Sequence, residues 1–416
     1  MGMTIVEKIF ANKLKKDKVS AGEDYFVPID LIMGTDATVP LAAKVFEENG
    51  FNRVVNDSKV VFINDHFVPA KDITSAQNCK VMREFAKKYK ISNFFEIGRC
   101  GVCHVTVPEQ GFVVPGDVIV GADSHTCTYG ALGAFSTGIG STDMASAWAL
   151  GELWFKIPES IKVILTGKLN KCVGGKDIIL YLLKILGESG ALYKSIEFYG
   201  DIISSISISD RLTICNMAIE AGAKNAIIPA DEKVKSYLKG KTSREGVCFR
   251  ADVDAIYSKI IEIDISKINL QIAKPYSPAN VTDAKELLGM KVNQIVIGSC
   301  TNGRIEDFRL ASRIVRGKKI CPNVKLIIIP GSQFVLKQMI DEGILLSFIE
   351  SGAVISPPTC GPCIGGHMGI LSDSEVGLYT TNRNFCGRNG HINSKVYLCG
   401  PAVAAFSAIK GEIAIS

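Results

Sequence analysis

Short apolar runs alternate with amphipathic segments along most of the chain. VNQIVIGSCTNG is followed by RIEDFRLASRIVRG, VKLIIIPG is followed by SQFVLKQMIDEG, and GAVISPPTCG opens a third unit. Continuous Val and Ile runs that alternate with helices are typical of parallel strands buried on both faces. The pattern therefore predicts the α/β class, with parallel sheets covered by helices.

Three regions of this kind follow one another. Residues 1–160 contain the strand-like GDVIVGADSHT and a helix predicted over STDMASAWALGELWF. Residues 161–285 have strands and helices of their own. They end in INLQIAKPYSPANVTDAKELLG, which loses periodicity and contains two prolines, as expected of a linker. We therefore predict three α/β domains over residues 1–160, 161–285 and 286–416.

Composition and charge exclude several classes of protein. A chain of 416 residues with 47% hydrophobic and 21% charged residues has enough apolar surface for several folded cores. Its net charge of +5 is spread without a run of Lys or Arg, which argues against nucleic-acid binding. The start MGMTIVEKIF lacks a secretory apolar region, and the apolar runs are too short to cross a membrane. We expect a cytoplasmic protein with neither nucleic-acid nor membrane partners.

Thirteen cysteines in a chain of this kind indicate buried thiols, catalysis or metal binding rather than disulfides. Cys360-Gly361-Pro362-Cys363 is spelled like a thioredoxin dithiol, but the IGGHMG that follows is a poor start for the helix such chemistry needs. Cys100 to His104 matches the C-x-x-C-H pattern of haem attachment, which belongs outside the cytoplasm, so we interpret it as a chance match. Zinc binding by both C-x-x-C pairs is less favoured because the pairs lie far apart in sequence.

A fourth interpretation joins Cys300 of GSCTNGR to Cys360 and Cys363. Each of the three is expected on a loop at the carboxyl end of a strand in the C-terminal sheet, where α/β sheets bind ligands. Three thiolates without a fourth partner suit a [4Fe–4S] cluster in which one iron is open to a substrate. A thiol oxidoreductase built on Cys360 and Cys363 remains the competing interpretation.

Several long motifs, in the same order, carry a resemblance to a known family. GSCTNGRIED, TCGPCIGG, TTNRNFCGRNGH and VGADSHTCTYGALGAFSTGIGSTDMA resemble the aconitase superfamily of iron–sulfur hydro-lyases, and the likeness runs from the first residues to the last. The sequence around ADSHTCTYGALG is most similar to that of large subunits of the isopropylmalate branch. The resemblance implies a three-domain aconitase-like fold without the swivelling fourth domain. It also implies one [4Fe–4S] cluster per chain, held by Cys300, Cys360 and Cys363, with one iron free of cysteine.

The resemblance also implies the rest of the site. The implied catalytic residues are Asp65, His66, His104, Asp123, His125 and Glu197. The implied substrate-binding residues are Thr35, Asn382, Arg383 and Arg388. These residue types suit the dehydration of a β-hydroxy acid, because a histidine with a carboxylate partner can protonate the departing hydroxyl. Arginine side chains can stabilise the charge that develops on a substrate carboxylate.

Two residues depart from the pattern of the family. Thr35 in MGTDATVP stands where isopropylmalate members usually have His and aconitases have Gln, and Cys386 stands where another residue is usual. The hydroxy acid is therefore open between isopropylmalate, the substrate of homoaconitase and a dimethylmalate-type acid. A regulatory protein that binds RNA after losing its cluster is an alternative of another class.

The resemblance also implies a partner protein. The sequence ends at VYLCGPAVAAFSAIKGEIAIS, and the fourth domain of aconitases is a separate small protein in the two-subunit members of the family. We therefore expect a hetero-oligomer with a small swivel-domain subunit, which supplies the base and much of the specificity toward a small hydroxy-dicarboxylic or tricarboxylic acid.

Overall fold

The first part of the chain forms a five-stranded parallel sheet in the computed structural model, which describes residues 2–99 and 101–416. The strands are β1 (Asp24–Pro28), β2 (Leu31–Thr35), β3 (Val60–Ile63), β4 (Asn93–Phe95), β5 (Val118–Gly121), β6 (Phe135–Gly138) and β7 (Glu152–Lys156). The helices are α1 (Ile5–Leu14), α2 (Val39–Glu48), α3 (Ile73–Lys88), α4 (Cys103–Glu109) and α5 (Ser141–Leu150). The sheet has the order β4-β3-β2-β5-β6, while β1 and β7 form a separate antiparallel ribbon.

The middle of the chain forms a four-stranded parallel sheet. Its strands are β8 (Ser160–Thr166), β9 (Ser195–Tyr199), β10 (Asn225–Ile227) and β11 (Lys259–Asp264), in the order β10-β9-β8-β11. Its helices are α6 (Gly175–Leu186), α7 (Ile208–Asn216) and α8 (Glu232–Leu238). The helix α7 begins after Ser207, whose hydroxyl accepts the backbone N–H of Asp210 and so caps the helix.

The last part forms a seven-stranded mixed sheet in the order β13-β12-β18-β17-β14-β15-β16. Its strands are β12 (Gln271–Ala273), β13 (Val281–Asp283), β14 (Gln294–Gly298), β15 (Lys325–Ile329), β16 (Val354–Ile355), β17 (Val376–Tyr379) and β18 (Lys395–Cys399). Its helices are α9 (Ser299–Asn302), α10 (Ile305–Val315), α11 (Gln333–Asp341), α12 (Ile344–Ser351) and α13 (Pro401–Lys410). The strands β14 to β18 run parallel to one another. The predicted α/β class is thus confirmed.

The predicted linker at the end of residues 161–285 is wrong in part. Within it, β12 pairs antiparallel with both β13 and β18, so the third sheet begins at Gln271. The two strands have three residues each, too short to show alternation, and both prolines lie in the turn between them. The helix predicted over STDMASAWALGELWF is also shorter than expected. It ends before Gly151, which has a φ of 75°, and the chain then turns into β7.

The fold brings the carboxyl ends of several parallel strands toward one region. The strands β2, β3 and β5 end immediately before Asp36, Asn64 and Ala122, and β14 and β17 end before Ser299 and Thr380. Loops at this edge are where α/β sheets place their ligand-binding side chains. No described helix is both long and apolar enough to span a lipid bilayer.

Candidate active site

Three of the predicted thiols lie together at the edge of the third sheet. Cys300 is in α9, directly after β14, and Cys360 and Cys363 lie in the loop that follows β16. The side chain of Asn382 joins two of them, since its Nδ2 donates to Cys300 Sγ at 3.1 Å and its Oδ1 accepts from Cys363 Sγ at 2.9 Å. A hydrogen bond links Cys360 to Cys363. The side chain of Asn382 thus hydrogen-bonds to sulfur atoms from two separate segments of the chain.

The chemistry of these donors fits a thiolate-bound metal group. Burial, followed by the negative charge of Cys363, raises the pKa of Cys300 to about 11. Cys360, followed by Arg388 and His125, lowers the pKa of Cys363 despite its burial. A metal held by such thiolates would offset the cost of ionising them in the protein interior. Three adjacent sulfur donors are a soft ligand set, which selects iron–sulfur clusters, zinc or copper(I) rather than hard cations.

Of the other C-x-x-C pair, the structure describes Cys103, which is bound to a carboxylate. Cys100 lies outside the described residues. Cys103 is the first residue of α4, its backbone N–H donates to Asp65 Oδ2 at 2.8 Å, and its thiol also hydrogen-bonds to Asp65. Cys386 is exposed, and its thiol donates to the backbone carbonyl of Ile392.

Asp123 contacts three of the five histidines of the chain. It follows β5 and caps the 3₁₀ helix Ser124–Leu132, where its Oδ1 accepts the backbone N–H of His125 at 2.7 Å. The same oxygen lies 2.8 Å from His104 Nε2 and 3.5 Å from His125 Nδ1. Its Oδ2 lies 3.3 Å from His66 Nε2. The structure therefore brings four of the predicted catalytic residues into direct contact.

This arrangement fixes the charges of two groups. Burial opposes ionisation of Asp123, but His104, His125 and His66 together hold its pKa well below 3.8. Burial likewise opposes a charge on His66, but Asp65, whose Oδ1 lies 2.5 Å from His66 Nδ1, and Asp123 raise the pKa of this imidazole well above 6.5. His66 is thus an imidazolium between two carboxylates at neutral pH.

Asp36 holds the backbone of Asp65 and His66 in place, and this role was not predicted from the sequence. Its Oδ1 accepts the backbone N–H groups of Asp65 and His66, and its Oδ2 accepts that of Phe67, each at 2.8 Å. Asp36, Asp65 and His66 lie close enough for a cation, but the oxygens of Asp36 already accept these donors. The signal in the sequence was an acidic residue directly after the end of β2.

Glu220 and Asn216 belong to the site and were also missed. Glu220 Oε1 accepts from His125 Nε2 at 3.0 Å and from Arg383 Nε at 2.7 Å. Burial alone would raise its pKa, but His125 and Arg383 lower it, so the group is a carboxylate. Asn216 Oδ1 accepts from Asn382 Nδ2 at 2.8 Å. The signal available was an acid inside the otherwise apolar NMAIEAGA.

The structure corrects the role expected for Glu197. Its side chain is fully buried, and its Oε1 accepts the backbone N–H groups of Ile5 and Val6 at the beginning of α1. Its Oε2 accepts the hydroxyls of Tyr199 at 2.7 Å and Tyr257 at 3.0 Å. None of these partners is a site residue, because the side chain points from β9 toward α1. Glu197 therefore joins α1 to the second sheet.

The two remaining substrate-side predictions have different surroundings. Thr35 is the last residue of β2 and is fully buried, with its N–H and its hydroxyl both satisfied by Thr38 Oγ1, at 3.2 and 3.3 Å. Arg388 lies near Cys363, and its Nε is buried with no hydrogen-bond partner among the residues the structure describes. Arg388 is therefore a donor without an acceptor at the edge of the sulfur set.

Comparisons with known proteins agree on one family. The family model described as Aconitase family (aconitate hydratase) matches residues 7–290 and 280–411. A protein named 3-isopropylmalate dehydratase large subunit from Caldicellulosiruptor bescii is 54% identical over 412 residues, which cover 99% of this chain and 96% of the relative. A protein of the same name from Moorella thermoacetica is 52% identical over 414 residues, covering 100% and 98%.

A solved structure gives independent support for the fold. The holo form of Thermococcus kodakaraensis aconitase X matches with a TM-score of 0.50 and 12% sequence identity. The match covers 92% of this chain and 94% of that one. At this identity the likeness concerns the fold alone.

Proposed function

The chain belongs to the aconitase family, and from that premise we propose that it is the large subunit of a 3-isopropylmalate dehydratase, an iron–sulfur hydro-lyase. Relatives that bear this name match almost the whole chain, and the chain covers 96–98% of their length. The observation that carries the proposal is the convergence of three thiols with a carboxylate that contacts three histidines. The enzyme would interconvert 2-isopropylmalate and 3-isopropylmalate in leucine biosynthesis.

We assign the three converging thiols to one cofactor. Cys300, Cys360 and Cys363 would hold a [4Fe–4S] cluster with one iron that has no cysteine ligand, because they supply three sulfur donors. When bound, such a cluster supplies a Lewis acid for the hydroxyl group of the substrate. Asn382 would orient Cys300, because its Nδ2 donates to a sulfur that still accepts when it is a thiolate.

The arginines at the site would bind the substrate carboxylates. The Nε of Arg388 is a buried donor without a partner, which is costly unless a ligand supplies an acceptor. A carboxylate of the substrate is such an acceptor and would form a charge-assisted hydrogen bond there. Arg383 donates its Nε to Glu220, which leaves its terminal nitrogens for a second carboxylate.

The chain would also supply the proton for the departing hydroxyl. His66 is protonated at neutral pH because Asp65 and Asp123 raise its pKa. In dehydration, His66 would transfer this proton to the hydroxyl oxygen, and the C–O bond would break to release water. The proton on the neighbouring carbon would pass to a base on the partner subunit as the carbon–carbon double bond forms. Rehydration with the opposite orientation yields the isomer.

The partner and the substrate are part of the same proposal. The relatives are named large subunits, so a small subunit is expected to complete the enzyme as a hetero-oligomer in the cytoplasm. Thr35 is the reason to test other hydroxy acids as substrates. It replaces the usual residue of the isopropylmalate branch, and its hydroxyl is already paired with that of Thr38.

A substrate panel tests this assignment. The chain is purified with its small subunit, reconstituted anaerobically with iron and sulfide, and assayed with 2-isopropylmalate, homoaconitate and 2,3-dimethylmalate. The proposal predicts the highest kcat/KM for isopropylmalate. Preference for one of the other acids would assign the chain to that hydro-lyase instead, and a reconstituted complex inactive on all three would contradict the proposal.

A further inference from the structure

The imidazole of His104 is held on both sides by the same short segment. Its Nε2 lies 2.8 Å from Asp123 Oδ1, and its Nδ1 lies 3.1 Å from the hydroxyl oxygen of Tyr129. Asp123 caps the 3₁₀ helix Ser124–Leu132, and Tyr129 lies within that helix. His104 itself belongs to α4, so the helix closes around a side chain from another element.

We propose that Tyr129 is a positioning residue, which donates its hydroxyl to Nδ1 of His104 and so holds the imidazole in the orientation that hydrogen-bonds to Asp123. Neither the family match nor the names of the relatives assign Tyr129 a role. The inference deepens the proposed function, because it concerns a residue that acts on the reaction only through His104.

The argument begins with the hydrogen-bonding capacity of each group. An ionised carboxylate only accepts, so the His104 nitrogen that faces Asp123 carries a proton. When the ring carries a single proton, the other nitrogen, Nδ1, presents a lone pair and needs a donor. Tyr129 is that donor, because burial raises its pKa well above 10 and its hydroxyl stays protonated.

The packing leaves Tyr129 no other role in hydrogen bonding. The side chain is fully buried among Met33, Ile63, Cys103 and Ile119, and its ring lies 5.6 Å from that of His104. Within residues 2–99 and 101–416, His104 is the only hydrogen-bond partner of this hydroxyl. Replacing Tyr129 with Phe would therefore keep the packing and leave Nδ1 of a buried histidine without a donor.

The first measurement needs no variant. The full chain is labelled with ¹⁵N-histidine, which gives signals from only five residues, and the ring nitrogens are correlated with their carbon-bound protons. The proposal expects the His104 signal, assigned by its loss in His104→Asn, to show a proton on Nε2 and a hydrogen-bonded lone pair on Nδ1. A proton on Nδ1 would overturn it.

The second measurement compares two matched variants in the reconstituted complex with the small subunit. Tyr129→Phe should lower kcat by about 10-fold to 100-fold, as removal of an outer hydrogen-bond partner of a functional side chain does, with an unchanged KM. It should also shift the Nδ1 signal of His104, because this nitrogen loses its hydrogen-bond donor. Tyr199→Phe, which removes a hydroxyl from the distant Glu197 cluster, should leave kcat and the His104 signal unchanged.

The outcomes separate this inference from the proposed function. An unchanged kcat in Tyr129→Phe, or a lower kcat with an unchanged Nδ1 signal, would overturn the positioning role. If the wild-type complex acts on none of the acids of the panel, the proposed function fails, while the Nδ1 signal still tests Tyr129 on its own.

Discussion

Asp123 and Glu197 are two buried carboxylates whose surroundings differ in kind. Asp123 is in contact with the imidazoles of His66, His104 and His125. Glu197 accepts from backbone N–H groups at the beginning of α1 and from two tyrosine hydroxyls. Histidines hold the pKa of Asp123 well below its ordinary value despite burial, whereas burial raises the pKa of Glu197 above its own.

The comparison indicates how a carboxylate in a proton-transfer network can be distinguished from one that joins elements of the fold. Both groups are buried and both have several donors, so neither burial nor the number of hydrogen bonds separates them. What separates them is whether the donors can exchange a proton near neutral pH, as imidazoles do and as backbone amides and tyrosine hydroxyls do not. Asp123 therefore lies in a network that can move protons, and Glu197 lies in one that joins elements of the fold.

The largest effect is expected from matched isosteric changes at the two carboxylates. Asp123→Asn should lower kcat by about 1000-fold, because three histidines lose the charge that orients them. Glu197→Gln should leave kcat unchanged, because no partner of Glu197 belongs to the site. Steady-state kinetics of the reconstituted complex measure both. Equal losses of kcat in the two variants, with equal iron content, would remove the distinction.

A smaller loss of activity is expected at Glu220. This residue contacts His125 and Arg383 but not Asp123, so it lies one step from the centre of the network. Glu220→Gln should lower kcat by about 10-fold to 100-fold, because both partners lose a charged acceptor. Activity at the level of wild type, with His125 and Arg383 intact, would exclude Glu220 from the site.

The stability of the fold should depend on Glu197 and its partners. Glu197→Ala leaves the N–H groups of Ile5 and Val6 and the hydroxyl of Tyr199 without their acceptor. The free energy of unfolding should fall by about 2 kcal/mol, measured from the midpoint of urea denaturation. Tyr257→Phe removes one donor from the same carboxylate and serves as the milder control. A Glu197→Ala chain as stable as wild type would contradict the structural role.

The smallest effect is a difference in the pH dependence of stability. The folded pKa of Asp123 lies below its ordinary 3.8, so its contribution is present above that pH and is lost as the pH falls. The folded pKa of Glu197 lies above its ordinary 4.5, so its contribution is largest in acid and is lost as the pH rises through the folded value. Urea midpoints across the acid range should therefore change with opposite slopes in Asp123→Asn and Glu197→Gln, each relative to wild type. Slopes of the same sign would contradict the assigned pKa directions.

Part of the site could be predicted because its residues directly follow buried strands. Asp65, Asp123 and Cys300 each come after a Val and Ile run, and parallel strands bring such positions to one edge. The spacing of Cys360 and Cys363, with Cys300, also predicted a sulfur set before any geometry was known. The structure places Cys300 and Cys363 within reach of one side chain, Asn382.

The rest depended on contacts between sheets that periodicity does not encode. Glu220 and Asn216 come from the second region of the chain and meet the site only through tertiary packing. Glu197 was expected in the site from the resemblance of SIEFYG to the family, whereas its contacts lie with α1 and two tyrosines, which a strand pattern does not predict. The short strands β12 and β13 were missed because three residues around a proline turn give no periodic signal.

The most direct test of the account is the metal content of the chain. Iron and acid-labile sulfide are measured per chain after anaerobic reconstitution of wild type, Cys300→Ser and the exposed-thiol control Cys386→Ser. The account predicts about four irons and four sulfides in wild type and in Cys386→Ser, and a loss of both in Cys300→Ser. One zinc per chain, or no metal with a titratable dithiol at Cys360 and Cys363, would contradict it.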